Sequence, residues 1–288
     1  MVSKPSPYAA PVAPTLLGLP KARWRLALTA LLAAFFVLVP VYAVQAGDSY
    51  VLILIGRILV FALAAVGLNL ALGYGGMVSF GHAMYMGLGA YVVAVASHHG
   101  LDNGVAHLLL VLVLTVVVAV PVGLIALRTQ GIAFIMITLA FAQMLFFVTV
   151  GLKQYGGDEG LSIARLSNFG ALTGSKTALY LSVLAALAVA LLLLRRVVAS
   201  RFGLVLRATM INERRVNAVG TPPLGYRLVG YVVSALLCAL AGFFLANLTS
   251  FASPAYMAWT VSGELIVMVL LGGMGTLRGP VVGALVFL

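Results

Sequence analysis

Residues 195–227 read RRVVASRFGLVLRATMINERRVNAVGTPPLGYR, and this stretch decides how the rest of the chain is read. It holds Arg195, Arg196, Arg201, Arg207, Arg214, Arg215 and Arg227 against one acid, Glu213, and it lies between apolar runs. Basic segments beside membrane helices stay in the cytoplasm. The stretch therefore orients everything on either side of it. Leu204, Ala208 and Ile211 follow i, i+4, i+7 spacing, which predicts a helix with one narrow apolar face. Gly220, Thr221, Pro222 and Pro223 stop that helix. A short cytoplasmic helix between spans has two readings. It is a docking element, or it merely connects two helices and holds topology.

The bulk numbers agree with a membrane protein. The 288 residues are 63% hydrophobic and 8% charged, with a mean hydropathy of +1.17. No soluble core needs that much apolar sequence. Helices are the expected spanning form, because lipid offers the backbone no hydrogen bonds. The short alternating segments of a β-barrel are not seen. The net charge of +11 is read as positive-inside bias and contact with anionic headgroups, not as nucleic-acid binding. Cys238 stands alone, which excludes an intrachain disulfide and a cysteine metal cluster.

Working outward, the spacing predicts a flexible cytoplasmic tail over residues 1–25 and a transmembrane domain over 26–288, with the cytoplasmic loop at 199–226. Trp24 would sit at headgroup level. Six spans precede the loop: Leu26–Ala46, Tyr50–Leu72, Ala83–Ser97, His107–Leu127, Ile132–Val150 and Thr177–Leu194. Arg227–Ser250 and Val261–Leu271 follow it. Val281–Leu288 would be a ninth, truncated span, being short of the ~20 residues a crossing needs. This parity puts the amino terminus inside and Gly151–Lys176 outside. Arg57 is expected to snorkel outward, and Glu264 to lie near the outer start of its span. His98, His99, His107 and Asp102 match no metal template. Gly174-Ser175-Lys176-Thr177 lacks the spacing and the strand of a phosphate loop.

Two glycine-rich stretches stand out. Gly73 to His82 carries Gly73, Gly75, Gly76 and Gly81, and Gly272 to Pro280 echoes it. Gly75-Gly76-Met77-x-Ser79-Phe80 parallels Gly272-Gly273-Met274-x-Thr276-Leu277. Both fall at the inner end of a predicted span. Broken backbone survives in a membrane only inside protein or along a wet cavity. The stretches are either walls of a translocation path or sites of close helix packing.

These residues carry a resemblance. Gly67 to Gly76, continuing through Ser79-Phe80-Gly81-His82-Ala83 to Gly87-Leu88-Gly89-Ala90-Tyr91, resembles the second and third spans of LivM-type permeases. These are membrane subunits of branched-chain amino acid ABC transporters. Arg207-Ala208, Asn212-Glu213, Ala218 and Gly220 resemble the family's cytoplasmic coupling loop. Glu264 to Thr276, with Gly279-Pro280 and Gly283-Ala284, resembles its late glycine motif. Two departures are visible. Arg214-Arg215 replaces the smaller residues usual after Asn-Glu, and the family continues past Leu288.

The resemblance implies an all-α, polytopic importer permease for amino acids, first of all branched-chain ones, in the bacterial inner membrane. Urea, short amides and other amino acids are the alternative cargoes. It implies a second related permease subunit, two cytoplasmic ATPase subunits and a periplasmic substrate-binding protein. No cofactor is expected on this chain, because ATP and magnesium would sit on the ATPases. Leu204, Arg207, Ala208, Ile211, Asn212, Glu213, Ala218 and Gly220 are the expected coupling residues. Asn69, Gly75, Gly76, Ser79, His82, Glu264, Gly272 and Gly273 are the expected path residues. A secondary carrier or channel is the rival class, and no paired carboxylates or Ser-His arrangement speak for an enzyme.

Overall fold

The structure, a computed structural model, describes residues 36, 38–40, 49–163, 165–168 and 176–288. The tail at 1–25, Trp24, most of the first span at Leu26–Ala46 and the stretch 169–175 lie outside the described residues. Helix α1 (Ser49–Asn69) continues as a π-turn over Leu70–Tyr74. Then come α2 (His82–His98), α3 (Gly104–Ala126), α4 (Ile132–Gly151), α5 (Lys176–Ala199) and α6 (Arg201–Ala218). Last are α7 (Pro223–Thr249), α8 (Trp259–Gly272) and α9 (Gly279–Phe287). The protein is an all-α, multi-pass membrane protein.

Five described helices are long and apolar enough to cross a bilayer: Tyr50–Tyr74, α3, α4, α5 and α7. Burial sorts them. Buried positions fill 72% of the Tyr50–Tyr74 window and 61% of that in α7, but only 22% in α4. Helices α1 and α7 are therefore the centre, and α3, α4 and α5 turn apolar side chains outward. Helix α2 lies against α7 at backbone distance. A Cβ on Gly89 would meet the Ala239 carbonyl, and one on Gly242 the Met86 carbonyl.

The loops sort onto two faces, as the parity requires. On one face β1 (Leu161–Ser162) pairs with β2 (Phe251–Ala252), Asp102 pairs with Arg165, and His99 meets Tyr155. His107 has both ring nitrogens engaged there, by Ser167 and the Leu101 carbonyl, each at 2.7 Å. On the other face Gln130 meets Glu213, Gly73 meets Gly275, and Gly76 meets Met210. The arginine-rich helix α6 lies on this second face.

Two of the expected spans are shorter than a crossing. Helix α2 has 17 residues and α8 has 14. At 1.5 Å per residue these reach roughly 26 and 21 Å, against a ~30 Å hydrocarbon core. The reason is local. Non-helical chain precedes each of them and enters the bundle, so each helix starts inside it. The exposed Arg57 places its guanidinium 5.6 Å from the Phe61 ring, one turn further along α1.

Candidate functional site

The chain after the π-turn is the first part of the site. Gly76 has φ +65°, a conformation an L side chain rarely adopts, and it turns the backbone away from α1. The chain then runs non-helically through 77–81 to the start of α2. Backbone of this kind needs partners inside a membrane, and hydroxyls supply them. Thr138 Oγ1 accepts from Phe80 N (3.3 Å), Ser79 Oγ from Gly81 N (3.2 Å), and Ser262 Oγ from Ala83 N (3.0 Å). These hydroxyls come from α4, from the break itself and from α8, so three elements hold one break.

His82 opens α2 and is fully buried. Its Nε2 lies 2.9 Å from Ser234 Oγ, and that hydroxyl donates to the Gly67 carbonyl at 2.7 Å. A hydroxyl has one proton. Ser234 therefore accepts from His82, and His82 carries its proton on Nε2. Nδ1 is then an acceptor with no partner among the described residues. The ring packs edge-on against Tyr85 and Tyr231, whose hydroxyls share a 3.0 Å bond. Ser234 is close to the middle of the 27-residue α7. The break is thus at mid-depth.

The second part is a hub on the face that carries α6. The two glycine stretches, 200 residues apart in the chain, touch here. The Asn69 amide joins them: its Nδ2 donates to the Thr276 carbonyl at 2.8 Å, and its Oδ1 accepts from Gly275 N at 3.1 Å. Gly272 and Gly279 approach so closely that a Cβ on either would strike the other's carbonyl. Thr276 Oγ1 accepts from Gly279 N and donates to the Gly273 carbonyl, which closes the turn between α8 and α9.

The third part is α6. Leu206 is buried against Gly230, and the Met210 side chain lies on Gly76. On the opposite side Leu204 is 64% and Ile211 85% exposed. The predicted narrow apolar face therefore points away from the bundle. The helix breaks at Asn212 (φ −159°, ψ 97°), whose Oδ1 accepts from Arg215 N and starts a second short segment. Glu213 faces inward, accepting from Gln130 Nε2 (2.6 Å) and Arg227 Nη1 (3.0 Å). Arg207 is turned to its own chain, donating to the carbonyls of Gly203 and Val198. Ala208 is half-buried, while Ala218 and Gly220 are exposed at the helix end. Gly220 (φ +84°) ends the helix, with Thr221 N donating to the Val216 carbonyl. An open pocket of about 510 Å³ beside the break is lined by Gln130, Ile211, Asn212, Glu213, Arg214, Asn217 and Pro223.

The expected residues thus fall in two places. Asn69, Gly75, Gly76, Gly272 and Gly273 are at the hub on the α6 face, and Ser79, His82 and Glu264 are at mid-depth. Glu264 corrects an expectation: it is not near the outer surface, because α8 itself begins inside the bundle. The sequence reading passed over Thr138, Ser234, Ser262, Tyr85, Tyr231, Gln130 and Met210. Isolated hydroxyls in otherwise apolar spans were the available signal.

The family described as "Branched-chain amino acid transport system / permease component" matches residues 50–288. The high-affinity branched-chain amino acid transport system permease protein LivM of Escherichia coli is 23% identical over 253 residues, 79% of this chain and 59% of its own length. Its Salmonella typhimurium counterpart is 24% identical over 244 residues, 76% and 57% respectively. The chain thus spans less than two thirds of the curated relatives it matches. No solved structure matches it.

Proposed function

The chain belongs to the permease-component family of branched-chain amino acid transport systems, and from that premise we propose that it is one membrane subunit of an ATP-driven importer of branched-chain amino acids in the inner membrane. It works beside a second related permease subunit. A periplasmic binding protein delivers cargo to the outer face. Two ATPase subunits, which hold the ATP and magnesium, dock on the cytoplasmic face. This chain supplies the path and the mechanical link, not the hydrolysis.

One observation carries the reading. Helix α6 offers Leu204 and Ile211 outward, while on its other side Met210 rests on Gly76, where the broken segment begins. A partner that seats on the outer residues pushes on the break through a few side chains. Apolar anchors on one face of a helix are the usual means of seating in a groove. Moving an equilibrium from 1:99 to 99:1 needs about 5.5 kcal/mol of differential binding. ATP-driven closure of the partners is the source of that energy here.

Ile211→Asp tests the link. It places a charge on the exposed anchor and leaves Leu206 and the membrane spans untouched. Its expected outcome is normal membrane insertion with loss of most binding-protein-stimulated ATP hydrolysis in the reconstituted complex. Gly220→Trp is a poorer probe, since the positive φ there strains any side chain. Full stimulation by Ile211→Asp would sink the docking role of α6.

A further inference from the structure

Glu264 has no hydrogen-bond or ion-pair partner among the described residues. Its depth makes that a demanding position. The 3-10 turn Pro254–Met257 dips into the bundle before α8, with Met257 buried beside Gly87 and within 3.3 Å of Thr149 Oγ1. Ser262 then meets Ala83 N, next to His82 and the middle of α7. Glu264 is two residues on, about 3 Å along the helix axis. It therefore lies near the bilayer midplane.

Its face is also defined. Thr260, Val267 and Leu271 are exposed, with the half-buried Glu264 between them at helical spacing, while Leu265, Met268 and Val269 are buried on the other side. An unpaired carboxylate at this depth is not stable against lipid. This face of α8 therefore calls for water, a cation or a polar partner. Two interruptions of the helical chain bracket this level: 77–81 comes up to Thr138 from the α6 face, and 251–258 comes down past Thr149, further along α4, from the other; transporters place their cargo sites between such breaks.

We propose that Glu264 binds the ammonium group of the transported amino acid at the midplane of the path, with Val267 and Leu271 beside it as a surface for an aliphatic side chain. The inference rests on the amino-acid importer reading above. It also says which end of the cargo this chain reads. The N–H groups of Phe80, Gly81 and Ala83 at the start of α2 are already bonded to hydroxyls, so they are not donors for a cargo carboxylate.

The test uses the whole importer, with its binding protein, in proteoliposomes, with L-leucine and urea as probes. Wild type should import leucine. Glu264→Gln should still co-purify with its partner subunits, yet import leucine about tenfold more slowly or worse. Glu264→Asp should retain more leucine import than Glu264→Gln. Leucine import by Glu264→Gln at the wild-type rate overturns the proposal and leaves the importer reading standing. Loss of co-purification in both variants also overturns it, by making Glu264 a subunit contact. A wild type that imports urea and no amino acid overturns the substrate reading and this proposal together.

Discussion

The glycine stretch after α1 runs on through the bundle as open chain, whereas the one after α8 closes at once into a turn. Gly76 redirects the backbone, and five residues then cross to α2 held by hydroxyls from other elements. Around Gly272–Gly279 two side-chain bonds are local, through Thr276, and two more come from the single amide of Asn69. Similar composition therefore supports two mechanical parts. One is a segment held by several elements, able to feel each of them move. The other is a rigid corner. What separates them is who supplies the hydrogen bonds.

Three measurements would sharpen or break that contrast. The largest effect is expected for Gly272→Val. Its Cβ would strike backbone at Gly279, which cannot move aside, so destabilisation near the upper end of the ~1–3 kcal/mol overpacking range follows. Gly76→Val meets only the Met210 side chain, plus a backbone strain of about 1–2 kcal/mol. Thermal unfolding midpoints in detergent should rank Gly272→Val below Gly76→Val. The reverse order would mean the corner is the softer part.

Asn69→Leu comes next. It unpairs the Gly275 N–H and the Thr276 carbonyl, a loss of roughly 1–3 kcal/mol. Hydrogen exchange should quicken at Gly275 while Ala83 stays protected by Ser262. Equal quickening at both sites would show that the two stretches open as one unit. The smallest effect concerns the contact between α6 and the break. A double-mutant cycle of Gly76→Ala with Met210→Ala should give a coupling of about 0.5–1 kcal/mol, since the second change removes the atoms the new methyl meets. Strict additivity would remove Met210 as the link.

Much of the site was legible in the chain. The outward placement of Leu204 and Ile211 follows from their spacing, and the shared face of the two glycine stretches from parity. The partners were not. Thr138, Ser234 and Ser262 are single hydroxyls in apolar helices, and nothing in their neighbours says which backbone group they meet. Arg207 stands among the coupling residues the resemblance implies, and nothing in its neighbours says that it holds the carbonyls of its own corner. Nor does the sequence say that Glu213 joins α6 to Gln130 and Arg227.

By itself the sequence determined that this is a helical membrane protein and where its helices are interrupted. Those features follow from transfer of apolar residues into lipid and from glycine and proline, all of which act residue by residue. Only the tertiary structure decided depth. Whether α8 starts at the surface or inside the bundle depends on how far the Pro254–Met257 turn descends, and that is set by packing of Met257 against Gly87. The same packing moves Glu264 from an outer rim to the midplane. Hydropathy records which residues avoid water, and depth within the bundle is a property of contacts between segments far apart in the chain.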